Sequence, residues 1–392
     1  MKSAILKQTG RKIIFFARFS VTLLLFALAF SVVAFAKEDK PSVPLEYSLL
    51  IDELDGKVFS EGELPEKLHS GDVDELGEAV GQLSTPEYLF SYLKESFGVG
   101  LEDALSLFAT LCGILVLSAV FSAFKTSFSQ NGARVLTVCS SAAIFASVLS
   151  EGSEHFLRVE EFFERIGIIM NGMIPVVSII YAMGGNVSTA VASSGTLYIF
   201  LAFCEEVLRV SVLPVAAVST AFALSGSVSG GIKLVGLSSA LKKSYTFLLG
   251  LIMTLLIAVL SSQTLLSSAA DTVSARAARL VASNVIPIVG SSVGDTVRTV
   301  SSSVGYLKSV CGIGGIIFIL LLVLPILIKL LLVRGVFLFA SSVADLVGCE
   351  SEGKLLTELG SVYGILLAVV TMCSVMFILA ITIFLRCGIA LG

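Results

Sequence analysis

Residues 310–328 contain no charged side chain, and the run ends abruptly at Lys329. Apolar runs recur at 105–124, 135–150, 166–183, 187–204, 207–224, 245–262 and 364–385, and only 207–224 carries a charge, Arg209. A helix rises about 1.5 Å per residue, so about 20 apolar residues match a hydrocarbon layer about 30 Å thick. So many runs cannot all be hidden in one soluble core. Charged residues make up only 14% of the chain, where soluble domains carry about a quarter. The expectation is an all-α fold: a polytopic transmembrane helical bundle of about seven spans, within a range of about six to eight.

The N-terminus, MKSAILKQTGRKIIFFARFSVTLLLFALAFSVVAFAKEDK, sets a basic region before an apolar stretch at 19–33. Ala34-Phe35-Ala36 then precedes a polar Lys-Glu-Asp-Lys. This order reads as a secretory signal peptide over residues 1–36, with Ala34 and Ala36 at the cleavage site. An uncleaved signal anchor is the alternative, and both readings start residue 37 outside the cytoplasm. Residues 37–103 hold 17 Asp and Glu against 5 Lys, an imbalance suited to an exported, solvated segment. Within it, PLEYSLLIDEL and PEYLFSYLKESF place apolar residues at helical spacing, as in amphipathic surface helices or a small helical linker without a partner. The polytopic domain is expected over 104–392. Lys125 with Arg134, and Lys233 with Lys242 and Lys243, are then expected to mark cytoplasmic loops.

Seven cysteines lie mostly in apolar runs, none in a C-x-x-C and none in the exported segment. They read as small packing residues rather than disulfide or metal ligands. The chain has only two histidines, His69 and His155, and no phosphate-binding loop. No catalytic residue, metal site or cofactor is expected, and no basic patch suggests nucleic acid.

Two apolar segments are interrupted alike. Asn171 and Pro175 lie in IMNGMIPVVSI, and Asn284, Pro287 and Gly290 lie in ASNVIPIVGSS. About 39 and 38 residues beyond these prolines come VLPV with Pro214 and VLPI with Pro325. The correspondence suggests an internal duplication, 161–272 and 273–386. Chance similarity between apolar segments is the alternative. Proline removes a backbone donor and obstructs a carbonyl, so these six residues and Gly290 are candidate pathway-lining or helix-break positions. Candidate intramembrane charges are Glu205, Glu206 and Arg209, with Glu205 and Arg209 spaced to pair at i, i+4. A short loop in the headgroup layer is the other reading of these three. Asp271, Arg276, Arg279, Asp295 and Arg298 belong to a small-residue segment, 263–309, that reads as a buried, broken element or an amphipathic surface one.

The stretch R-x-x-R-L-x-x-x-x-V-I-P-I-V-G from Arg276 to Gly290, the ending MFILAIT from Met376 to Thr382, and the layout of residues 85–386 resemble the stage III sporulation protein AE family. The resemblance implies a protein of the mother-cell membrane around the forespore. It also implies partners: other sporulation membrane proteins of the same operon, a cytoplasmic ATPase, and a forespore membrane protein. Their assembly would form a secretion-like channel between the two cells, with this chain as a membrane component without enzymatic activity of its own. Read from the residues alone, a self-contained secondary transporter of small solutes and a non-conducting membrane scaffold remain the alternatives.

Overall fold

A computed structural model describes Ile51, Leu54 and residues 73–123, 130–183, 187–228, 236–259, 261 and 290–386. Among these residues the chain is helical, without strands. The helices are α1 (Val73–Leu83), α2 (Pro86–Ala123), α3 (Gln130–Met183), α4 (Val187–Val228), α5 (Gly236–Val259), α6 (Gly290–Leu346) and α7 (Glu350–Arg386). Five described segments are long and apolar enough to span a bilayer: Pro86–Val120, Ile199–Ser225, Gly236–Val259, Gly305–Leu346 and Glu350–Ile383. The protein is a polytopic helical bundle. Ala34, Ala36, Asn284, Pro287, Asp271, Arg276 and Arg279 lie outside the described residues.

Local sequence sets the helix boundaries. Leu76, Ala79, Val80 and Leu83 recur at helical spacing and bury one face of α1. Gly77 brings that helix against the Tyr306 hydroxyl of α6. In the connection that follows, the Thr85 hydroxyl accepts the Tyr88 N–H at 3.4 Å, Pro86 takes the first helical position and Glu87 the first turn. Between α6 and α7, Gly348 adopts φ 80°, the Cys349 N–H donates to Ala344 O at 2.8 Å and the Gly348 N–H to Asp345 O at 3.4 Å. These bonds form a Schellman ending that folds α6 directly back into α7.

Several runs expected to be separate spans are joined. Residues 135–150 and 166–183 belong to the single 54-residue helix α3, and 187–204 and 207–224 to the 42-residue α4. The charged stretches between them contain no proline. Their Glu and Arg are good helix formers that pair along the helix, as Arg158 does with Glu154 at 2.6 Å. The amphipathic stretch before residue 104 is likewise continuous with the first span, in α2.

Side-chain contacts fix the relative register. Along α2 and α6, Tyr92 meets Leu321, Gly100 meets Leu332, and Asp103 meets Lys329, so the two helices run parallel. Residue 154 of α3 meets Lys329, and Met173 meets Gly315, so α3 runs antiparallel to α6. The α7 contacts, Gly353 with Ser341, Gly360 with Phe337 and Ile381 with Gly315, are also antiparallel. Gly360 and Gly364 let α6 approach closely, and the Arg334 guanidinium lies 3.1 Å from where a Gly364 Cβ would stand. Every residue from Val310 to Leu324 is buried, which makes α6 the central helix.

Pro325 shows how a proline is accommodated here. It cannot donate to the carbonyl of Leu321, four residues earlier. The Tyr92 hydroxyl of α2 donates to that oxygen instead, at 3.1 Å. The helix therefore runs through Pro325, as α4 does through Pro214 and α3 through position 175, rather than breaking at these positions. In the membrane, neighbouring helices can supply the missing bond. Tyr92→Phe is expected to cost about 1 kcal/mol, as a buried acceptor loses its donor. In the Pro325→Ala background, where the backbone N–H returns, the same change should cost much less. Thermal unfolding of the four variants in detergent checks this cycle.

Candidate functional site

Helix α3 presents Glu154, Leu157, Arg158, Glu161, Glu164 and Asn171 on one exposed face. Three- and four-residue spacings keep these positions on one side of the helix. The opposite side buries Val159, Phe162, Phe163, Ile166, Ile169 and Met170. On the exposed side, Arg158 pairs with Glu154 and Arg165 pairs with Glu161 at 3.8 Å.

The depth of this face gives it functional interest. Contacts of residues 154 and 173 with Lys329 and Gly315 set the segment alongside the most apolar run of α6. An amphipathic, charged surface therefore lies level with helices that read as bilayer-spanning. Ionisable groups at that depth face protein or water rather than hydrocarbon. By contrast, α5 exposes Phe247, Leu251 and Leu255 at four-residue intervals, a face suited to lipid tails. An apolar groove of about 480 Å³ between α2 and α6, lined by Phe90, Leu93 and Leu324 among others, also offers a hydrocarbon-like surface.

Ion pairs fasten the charged face to the core. Lys329, at the end of the uncharged run, has a side chain only 16% exposed; its ammonium lies 2.8 Å from Asp103 of α2 and 3.8 Å from Glu154 of α3. His155 turns inward, buried against Tyr363 of α7 with ring centroids 5.8 Å apart. The arrangement holds one fixed positive charge between two carboxylates, where α2, α3 and α6 meet.

Of the charges singled out in α4, Glu206 rather than Glu205 pairs with Arg209. The guanidinium makes two hydrogen bonds to the Glu206 carboxylate, at 2.9 and 3.0 Å. The three residues lie within a continuous helix, so the short-loop reading does not hold. Glu164 of α3 is within electrostatic reach of Arg209, which brings the α3 and α4 charges into one neighbourhood. Asn171 shares the exposed α3 face, Pro214 is exposed on α4, and Pro325 is half-buried. Gly290 is the first residue of α6; Asp295 and Arg298 follow in its first turns, where only the backbone is described, as at Pro175.

Two further polar clusters emerge only in three dimensions. Glu352 is 4% exposed and accepts hydrogen bonds from Ser118 of α2 and Ser140 of α3, the former at 2.8 Å. Lys242 of α5 pairs with Glu358 of α7, which also accepts from Ser238 at 3.4 Å. Lys242 therefore lies within a helix interface rather than in the expected cytoplasmic loop. Cys204, Cys311, Cys349 and Cys373 are buried thiols outside any disulfide, in keeping with packing roles. No cluster of three or more His, Cys, Asp or Glu suited to a metal occurs among the described residues.

The chain is similar over residues 75–388 to a family described as Stage III sporulation protein AE. A protein of that name from Bacillus subtilis (strain 168) is 22% identical over 304 residues, covering 76% of this chain and 74% of the relative. No solved structure matches.

Proposed function

The chain belongs to the stage III sporulation protein AE family, and on that premise we propose that this sporulation membrane protein is a component of a channel between mother cell and forespore. It acts in the mother-cell membrane around the forespore, after signal cleavage near Ala34 and Ala36. The partners are other membrane proteins of the same operon, a cytoplasmic ATPase that supplies energy, and a forespore membrane protein. The observation that supports a conducting role is the charged α3 face, Glu154 to Asn171, level with the apolar run of α6. That face is the wall of the hydrated route.

The first test is access to water. Cysteine placed at Leu157, Glu161 or Glu164 is expected to react with a membrane-impermeant maleimide in intact membranes. Cysteine at Phe247, Leu251 or Leu255 of α5 is expected to stay unlabelled. Equal protection of both sets would remove the support for a hydrated wall. Reconstitution then separates the functional readings. Flux of small solutes only when the partner proteins are present fits the channel component. Uptake by the purified chain alone identifies a secondary transporter, and no flux in either condition identifies a scaffold.

A further inference from the structure

The outward face of α4 is apolar except at one place. Ile199, Phe203, Val210 and Val218 are exposed along it, and the Glu206–Arg209 pair interrupts them, with side chains 54% and 41% exposed. These charges are not at a helix end. They lie seven and ten residues inside the apolar segment Ile199–Ser225, and seven residues correspond to about 10 Å along a helix. The pair therefore sits inside the apolar layer, where an exposed ion pair calls for a polar or charged neighbour rather than lipid.

We propose that this α4 face is a homotypic interface, and that a second copy of the chain covers it with Glu206 of each copy pairing across to Arg209 of the other. Two copies in one membrane share an orientation, so their α4 helices pack parallel about an axis along the membrane normal. An acid and a base three residues apart then meet their opposites on the diagonal. This is the geometry by which charges at the flanks of parallel coiled coils select partners. The face is self-complementary, as a two-fold interface requires: one patch with equal positive and negative charge, edged by apolar side chains. Other charges facing the pair are Glu205 on the same helix and Glu164 on α3. The proposal concerns assembly and stands apart from whether the α3 face conducts.

The test separates pairing between copies from pairing within one helix. Val210→Cys is introduced into a chain whose Cys112, Cys139 and Cys387 are replaced by Ser, and oxidative crosslinking is read in bacterial membranes. The parent charges are expected to give a dimer band, whereas Phe247→Cys on α5 gives none. Glu206→Lys leaves two positive charges per face and Arg209→Glu two negative, so each alone should lower crosslinking about tenfold. Co-expression of these two variants, with different tags, should restore a mixed dimer to near the parent yield. That rescue cannot arise within one helix, and it shows that both variants are folded. Absence of the parent dimer would overturn the proposal, as would failure of the mixed pair to recover. A parent yield unchanged by either single substitution would overturn it too.

Discussion

Replacing Lys242 by Met is expected to destabilise the bundle by about 3 kcal/mol, the scale for removing one partner of a buried ion pair. The side chains of Lys242 and Glu358 are only 12% and 24% exposed. Without the ammonium, the Glu358 carboxylate keeps only the 3.4 Å hydrogen bond from Ser238 among the described contacts. The penalty comes from the stranded carboxylate, not from the lost attraction alone, because pairing in a low-dielectric site mainly offsets desolvation. Glu358→Leu should be similarly harmful, since it strands the ammonium. The double variant Lys242→Met with Glu358→Leu should recover most of the loss. Unfolding in mixed detergent, followed by circular dichroism, gives the four values. Single changes costing under about 0.5 kcal/mol would mean that solvent screens the pair as it does a surface salt bridge.

Lys242 also shows where sequence reading falls short. Next to Lys243 and near Lys233, it resembles the basic edge of a cytoplasmic loop. Only the approach of α7 reveals a buried partner 116 residues away. Glu352 is another such case. It lies among Glu350 and Lys354, which are exposed, but the turn at Gly348 tips it inward toward Ser118 and Ser140. Hydropathy is summed along the chain, whereas these contacts depend on which face of each helix meets another.

Other features were legible because their signals are local. The uncharged run at 310–328 marks the central helix, whose residues from Val310 to Leu324 are all buried. The Thr-Pro-Glu start of α2 and the Gly348 turn carry equally local capping signals, which hydropathy alone does not register. Helix continuity was harder to read. Glu205, Glu206 and Arg209 interrupt the apolar sequence, but none breaks a helix, and α4 carries them through its middle. Proline misleads in the opposite direction. At Pro325 the missing bond to the Leu321 carbonyl is supplied by Tyr92, 229 residues from Leu321.

The charges on α3 provide the most severe test of the conducting route, because lipid and water predict opposite signs. Consider a chain with Glu161, Glu164 and Arg165 all replaced by Leu. If that face met lipid, each charge removed from the apolar layer would relieve about 2.5–3.5 kcal/mol on the insertion scale. The variant would then be markedly more stable and keep its function. If the face lines water, the replacements put apolar surface into a hydrated route. They also remove the Arg165–Glu161 pair and the Glu164 charge near Arg209. The expected result is the second: near-complete loss of partner-dependent flux, with the protein still inserted and its stability changed by less than about 1 kcal/mol, as for surface substitutions. Gln at 161 and 164 should keep most of the flux, because a polar lining without charge still holds water. Unfolding and flux measured on the same preparations decide between the two, and a gain in stability with flux intact would assign the face to lipid.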